Sequence, residues 1–82
     1  MIQIVINIKL FSFKQTVQVF QDKECIELIE VPVNDINKTI EDLYYKYPIE
    51  RINFIKDNYL VRMCRENLKK YLKEKNIIIE IF

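Results

Sequence analysis

The chain of 82 residues is half apolar and carries 13 basic and 12 acidic side chains, a net charge of +1. One domain with a modest core fits that length, near the lower end of what folds alone, and the nearly cancelled charge gives no global field of the kind that draws a protein to nucleic acid or membrane. His, Gly and Trp are missing while Ile, Lys and Asn abound, a bias that an AT-rich coding sequence produces and that suggests a low-GC bacterium, or a phage or mobile element living in one.

The segment IQIVINIKL alternates strictly. Ile2, Ile4, Ile6, Ile8 and Leu10 share one face, so the period predicts a strand with that face buried. TVQVFQ predicts a second strand, joined to the first by an antiparallel hairpin around Ser12 to Lys14. With no Gly or Asn there, a loop longer than a two-residue turn is expected. QDKE marks a second turn, and CIELIEVPV a third strand ended by Pro32, which has no N–H for a ladder.

The period then changes. Ile36, Ile40, Leu43, Tyr44 and Tyr47 fall on one stripe of a helix, with Asn34 as its N-cap and Asp35 in the first turn. Pro48 stops it, because the residue before a proline avoids the α conformation. IERINFIK predicts a fourth strand. A second helix is expected from Asn58 to about Lys75, with Leu60, Cys64, Leu68, Tyr71 and Leu72 inward. NIIIEIF closes the chain as a fifth strand. The expected fold is a single α/β (α+β) domain over residues 1–82. It holds one mixed five-stranded sheet and two helices in the order β-β-β-α-β-α-β. Right-handed crossovers add strands four and five in parallel beyond a central first strand.

Cys25 and Cys64 sit on apolar repeats and are expected to be buried free thiols, since two cysteines make no disulfide framework. There is no basic leader and no apolar run approaching the ~20 residues that span a bilayer, so a reducing cytoplasm is expected. Without His, no Ser–His or Cys–His nucleophile pair can form. Without Gly, neither dinucleotide nor phosphate-loop fingerprints exist. No catalytic residue, metal or cofactor is therefore expected.

The element order resembles the ribonuclease H-like fold, whose core begins with a three-stranded meander followed by helix, strand, helix and strand. In FIKDNYLVR, Asp57 matches the metal-binding Asp that follows the family's fourth strand, and Glu41 is the nearest counterpart of its first-helix Glu. The first strand should carry the leading Asp, but INIKLFSF offers Asn7 at best and no acid precedes Asp22. The family's later acid would lie beyond Phe82. Two Mg²⁺ ions need several converging carboxylate oxygens. The resemblance thus implies a degenerate, truncated and inactive member in which Glu41 and Asp57 are vestigial acids.

Bottom-up, Asp57 or Asn58 reads as the cap of the second helix. Arg62, Arg65, Lys69 and Lys73 form a basic stripe on that helix. It is either a track for a phosphate backbone or a solvated face held by Arg62–Glu66 and Glu66–Lys70 pairs. Tyr45 points away from Ile40 and Leu43, where it can anchor a partner. Ile79, Ile81 and Phe82 make the last strand too apolar for a free edge, so a homodimer is expected, formed through the uncovered sheet face or the last strand. The leading functional expectation is a small non-catalytic module acting through protein–protein contacts, as in an accessory or inhibitor protein of a phage or mobile element. Nucleic-acid binding by the basic stripe is the alternative, and a metal-dependent nuclease the remote one.

Overall fold

The computed structural model describes residues 1–73 and 75–81. Five strands form one mixed sheet: β1 (Ile2–Asn7), β2 (Gln15–Gln21), β3 (Glu24–Val31), β4 (Ile49–Phe54) and β5 (Ile78–Ile81). Helix α1 (Ile36–Lys46) links β3 to β4, and α2 (Tyr59–Tyr71) links β4 to β5. The strand order is β3-β2-β1-β4-β5, with the first pairs antiparallel and β4 and β5 parallel to β1. The expected mixed sheet, with β1 central, is what the chain forms.

The register explains the core. Ile29, Val17, Ile6, Phe54 and Ile81 form one row across the sheet; Glu27, Val19, Ile4, Ile52 and Ile79 form the next. Both crossovers advance in the same direction across the sheet, so right-handed connections place both helices on one face. Ile36, Ile40 and Leu43 of α1, with Val61, Cys64 and Leu68 of α2, close over these rows in a single cluster. Fully burying each such side chain stabilises the fold by about 1.5–3 kcal/mol. The opposite face bears no helix.

Several local expectations are corrected. Asn34 does not cap α1: it lies in a 3-10 turn, Val33–Asp35, whose backbone bond from Asp35 N to Pro32 O starts the helix without a side-chain cap. Cys25 is exposed. The register skips Ile26 between the pairs Val19–Glu27 and Phe20–Cys25, and this bulge turns Cys25 onto the open face. The inner stripe of α2 runs Val61–Cys64–Leu68–Leu72, one position later at its start than read, leaving Leu60 half-buried and Tyr71 exposed. Leu10 lies past β1 and is also exposed.

Candidate functional site

The carboxyl ends of β1, β3 and β4 share one edge of the sheet, and the N-termini of both helices start there. Asn58 caps α2: its backbone is extended and its Oδ1 accepts the Val61 N–H at 3.0 Å, while its Nδ2 donates to Ile8 O at 3.2 Å. Asp57 instead receives the Arg62 guanidinium fork, with both N–O distances at 2.9 Å. That fork holds the Asp57 carboxyl below its usual range and raises Arg62 above its own. The pair is exposed. Asn58→Ala is expected to cost about 0.5–2 kcal/mol and to lower the melting temperature measured by circular dichroism. Asp57→Ala should change it far less.

The two acids of the resemblance do not meet. Asp57 answers Arg62 in the first turn of α2. Glu41 lies by Tyr71 in its last turn, where partial burial first and the Glu41 carboxylate second push the tyrosine hydroxyl upward. Nine residues of helix separate Arg62 from Tyr71, about 13 Å. Among the described residues, no group of three His, Cys, Asp or Glu side chains could hold a metal ion. Cys64 is buried in the core, which raises its thiol pKa above the usual range and keeps the reactive thiolate scarce.

On the basic stripe, Arg62, Lys69 and Lys73 are exposed and Arg65 is half-buried. The expected i,i+4 pairs do not form. Arg62 turns back to Asp57, whose two oxygens match its planar fork, and Glu66 instead meets Arg65 at 3.4 Å. Beyond the stripe, Lys70, Tyr71, Lys73 and Lys75 line a recess of about 330 Å³ at the C-terminal end of α2.

The longer loop expected around Ser12 to Lys14 runs over residues 8–14; what sequence reasoning missed is how it is held. Gln15 is only 1 % exposed, and its amide braces the loop from beneath. Its Oε1 accepts the Lys9 N–H at 2.6 Å; its Nε2 donates to Lys9 O at 3.1 Å and to Ser12 O at 2.9 Å. The Ser12 hydroxyl donates to Lys14 O at 3.0 Å. Held this way, Phe11 and Phe13 are 105 % and 95 % exposed. Phe11 has φ 64°, a left-handed conformation that costs a bulky residue about 1–3 kcal/mol. The result is a pair of exposed phenylalanines on a braced, strained loop, a candidate for contact with a partner. The sequence marked a turn around Ser12 to Lys14, but nothing in LFSFK signals that both phenylalanines face outward.

The open sheet face is the second feature. Its rows are Leu28, Gln18, Val5, Asn53 and Glu80, then Cys25, Phe20, Gln3, Arg51 and Ile78, with Glu30, Thr16 and Asn7 above. Asn53 is 1 % exposed, yet among the described residues neither of its amide atoms has a hydrogen-bond partner, and Asn7 Oδ1 is likewise unpaired. Arg51 and Glu80 pair loosely at 3.7 Å. Ile79 and Ile81 turn the other way and pack half-buried on the core, so Ile78 is the apolar residue that β5 shows on this face. Tyr45 is exposed on α1, edge-on to Tyr44 with ring centres 5.8 Å apart, on the helix side and remote from these residues. Phe82 lies outside the described residues.

No family model, curated protein or solved structure matches the chain. Among the described residues, no helix is long and apolar enough to cross a membrane.

Proposed function

We propose that this chain is a small non-catalytic interaction module, an accessory or inhibitor protein of a phage or mobile element, that works as a homodimer joined through its open sheet face. The observation that carries the reading is Asn53, a buried side chain on a helix-free face whose donor and acceptor both lack partners. Leaving such groups unpaired costs about 1–3 kcal/mol, and because Asn53 is almost wholly covered, a partner collects that energy only when the side chains around it on the face move aside. A carboxamide is donor and acceptor at once. A face built from Gln3, Asn7, Gln18 and Asn53 is therefore complementary to its own two-fold copy. Arg51 pairs with Glu80 and only Glu30 at the edge is left over, so the face carries little net charge to select a cationic or an anionic partner. A standard interface takes roughly 800 Å² per partner, about one-seventh of the 5495 Å² exposed here.

The face is a better candidate than the free edge of β5, which is only four residues long and whose Ile79 and Ile81 already pack inward. The engagement of Asp57 by Arg62 and the separation of Glu41 from it favour a non-catalytic role. Sedimentation equilibrium at micromolar concentration tests the proposal. The wild-type chain should sediment as a dimer. Val5→Lys and Leu28→Glu, at the middle and edge of the face, should each give a folded monomer. A wild-type chain that is monomeric throughout the range would overturn it.

A further inference from the structure

Charge is segregated along this nearly neutral chain. Residues 1–21 and 55–75 hold nine basic and three acidic side chains, whereas the remainder holds four basic and nine acidic. The fold joins the two basic segments, because Asn58 Nδ2 bonds Ile8 O and so ties the base of the 8–14 loop to the start of α2. The result is a track with an aromatic–basic cluster at each end. Phe11 and Phe13, flanked by Lys9 and Lys14, stand at one end; Tyr71 with Lys70, Lys73 and Lys75 lines the recess at the other, where Lys75 lies over the Tyr44 ring and the Glu41 carboxylate beside Tyr71 is outnumbered by the three lysines. Between them runs α2, 13 residues long and about 20 Å from end to end.

We propose that this basic half binds single-stranded nucleic acid, with bases stacked on Phe11 and Phe13 and the phosphates following α2 to the recess at Tyr71. Stacking platforms combined with a basic track are how single strands are held without sequence preference. Phenylalanine offers a flat π-face and no hydrogen-bonding group, which suits a base of any kind. The brace from Gln15 fixes both rings before the ligand arrives, so little conformational entropy is lost on binding. A strand is flexible enough to use both clusters. An anionic lipid surface touching the tip of the loop would meet Lys9 and Lys14 but leave the recess, a helix length away, unused. Arg62 keeps its Asp57 partner and serves less than Lys69, Lys70 and Lys73, which have no carboxylate partner among the described residues. The surface is separate from the open sheet face, so the proposal stands whether or not the chain dimerises.

The full chain can be titrated with labelled oligothymidylate by fluorescence anisotropy over a range of salt. Binding is expected at low salt, with affinity falling as salt rises. The double variant Phe11→Gly/Phe13→Ser should bind at least about tenfold more weakly while its salt slope stays unchanged, because no phosphate contact is lost. Glycine accepts the left-handed conformation, so this variant should melt no lower than the wild type. The pair Lys70→Gln/Lys73→Gln should reduce the slope by about 0.7 for each lost phosphate contact. Absence of binding at low salt, or equal affinity of the double variant, would overturn the proposal. Loop-dependent binding to phosphatidylserine vesicles without binding to the oligonucleotide would overturn it in favour of lipid.

Discussion

Phe54→Ala is expected to lower the unfolding free energy by about 3–5 kcal/mol, the range for emptying a buried aromatic site. Phe54 is 0 % exposed and is among the largest fully buried side chains. It stands between Ile6 and Ile81 in its row, beneath the helix layer. Neighbours on two strands and a helix cannot all collapse into the space. A domain of this size has a total stability near the low end of the ~5–15 kcal/mol range, so the variant should be largely unfolded at moderate temperature. In urea, the midpoint should drop sharply with the slope unchanged, provided some folded baseline survives. Phe13→Ala serves as the control: a fully exposed ring removed from a surface loop should shift stability by no more than about 0.5 kcal/mol. Equal losses from the two variants would mean that the loop, and not the sheet row, carries the packing.

That contrast marks the boundary of what the sequence discloses. The strands and helices were legible because their apolar periods are clean: three alternating isoleucines in β1, continued by Ile8, and the repeat of Cys64, Leu68 and Leu72 in and just past α2. The strand order followed from two crossovers and the handedness that twisted sheets impose. What failed was set by single interactions that leave no period. Skipping Ile26 at a bulge sent Cys25 to the opposite face. A loop was expected around Ser12 to Lys14, but the three hydrogen bonds of the Gln15 amide that hold Phe11 and Phe13 outward leave no mark in LFSFK. The choice between Asp57 and Asn58 as cap was decided by geometry, since either side chain offers the oxygen, and Arg62 claimed the aspartate. The charge segregation was present in the sequence but concealed by an overall balance near zero. Asn53 sits between Ile52 and Phe54 as one polar residue in an apolar strand, and its loss of every partner emerges only when the register is known.

Asn53→Val is therefore expected to stabilise the isolated chain, by about 1–3 kcal/mol, the cost of leaving a buried polar group without a partner. Valine is close in size to asparagine, favours the extended backbone and adds an apolar group beside Val5 in the neighbouring strand. At concentrations low enough for the monomer to prevail, the melting temperature should rise by several degrees. The same change removes the donor and acceptor that we assign to the two-fold partner, so the dimer should dissociate at higher concentration than in the wild type. Stability gained in the monomer and association lost in the dimer are opposite in sign, and one substitution followed across a dilution series measures both. A variant that is less stable at every concentration would show that the Asn53 amide is satisfied within the single chain. A variant more stable at every concentration, with association intact, would show that the amide plays no part in pairing and would move the interface elsewhere on the face.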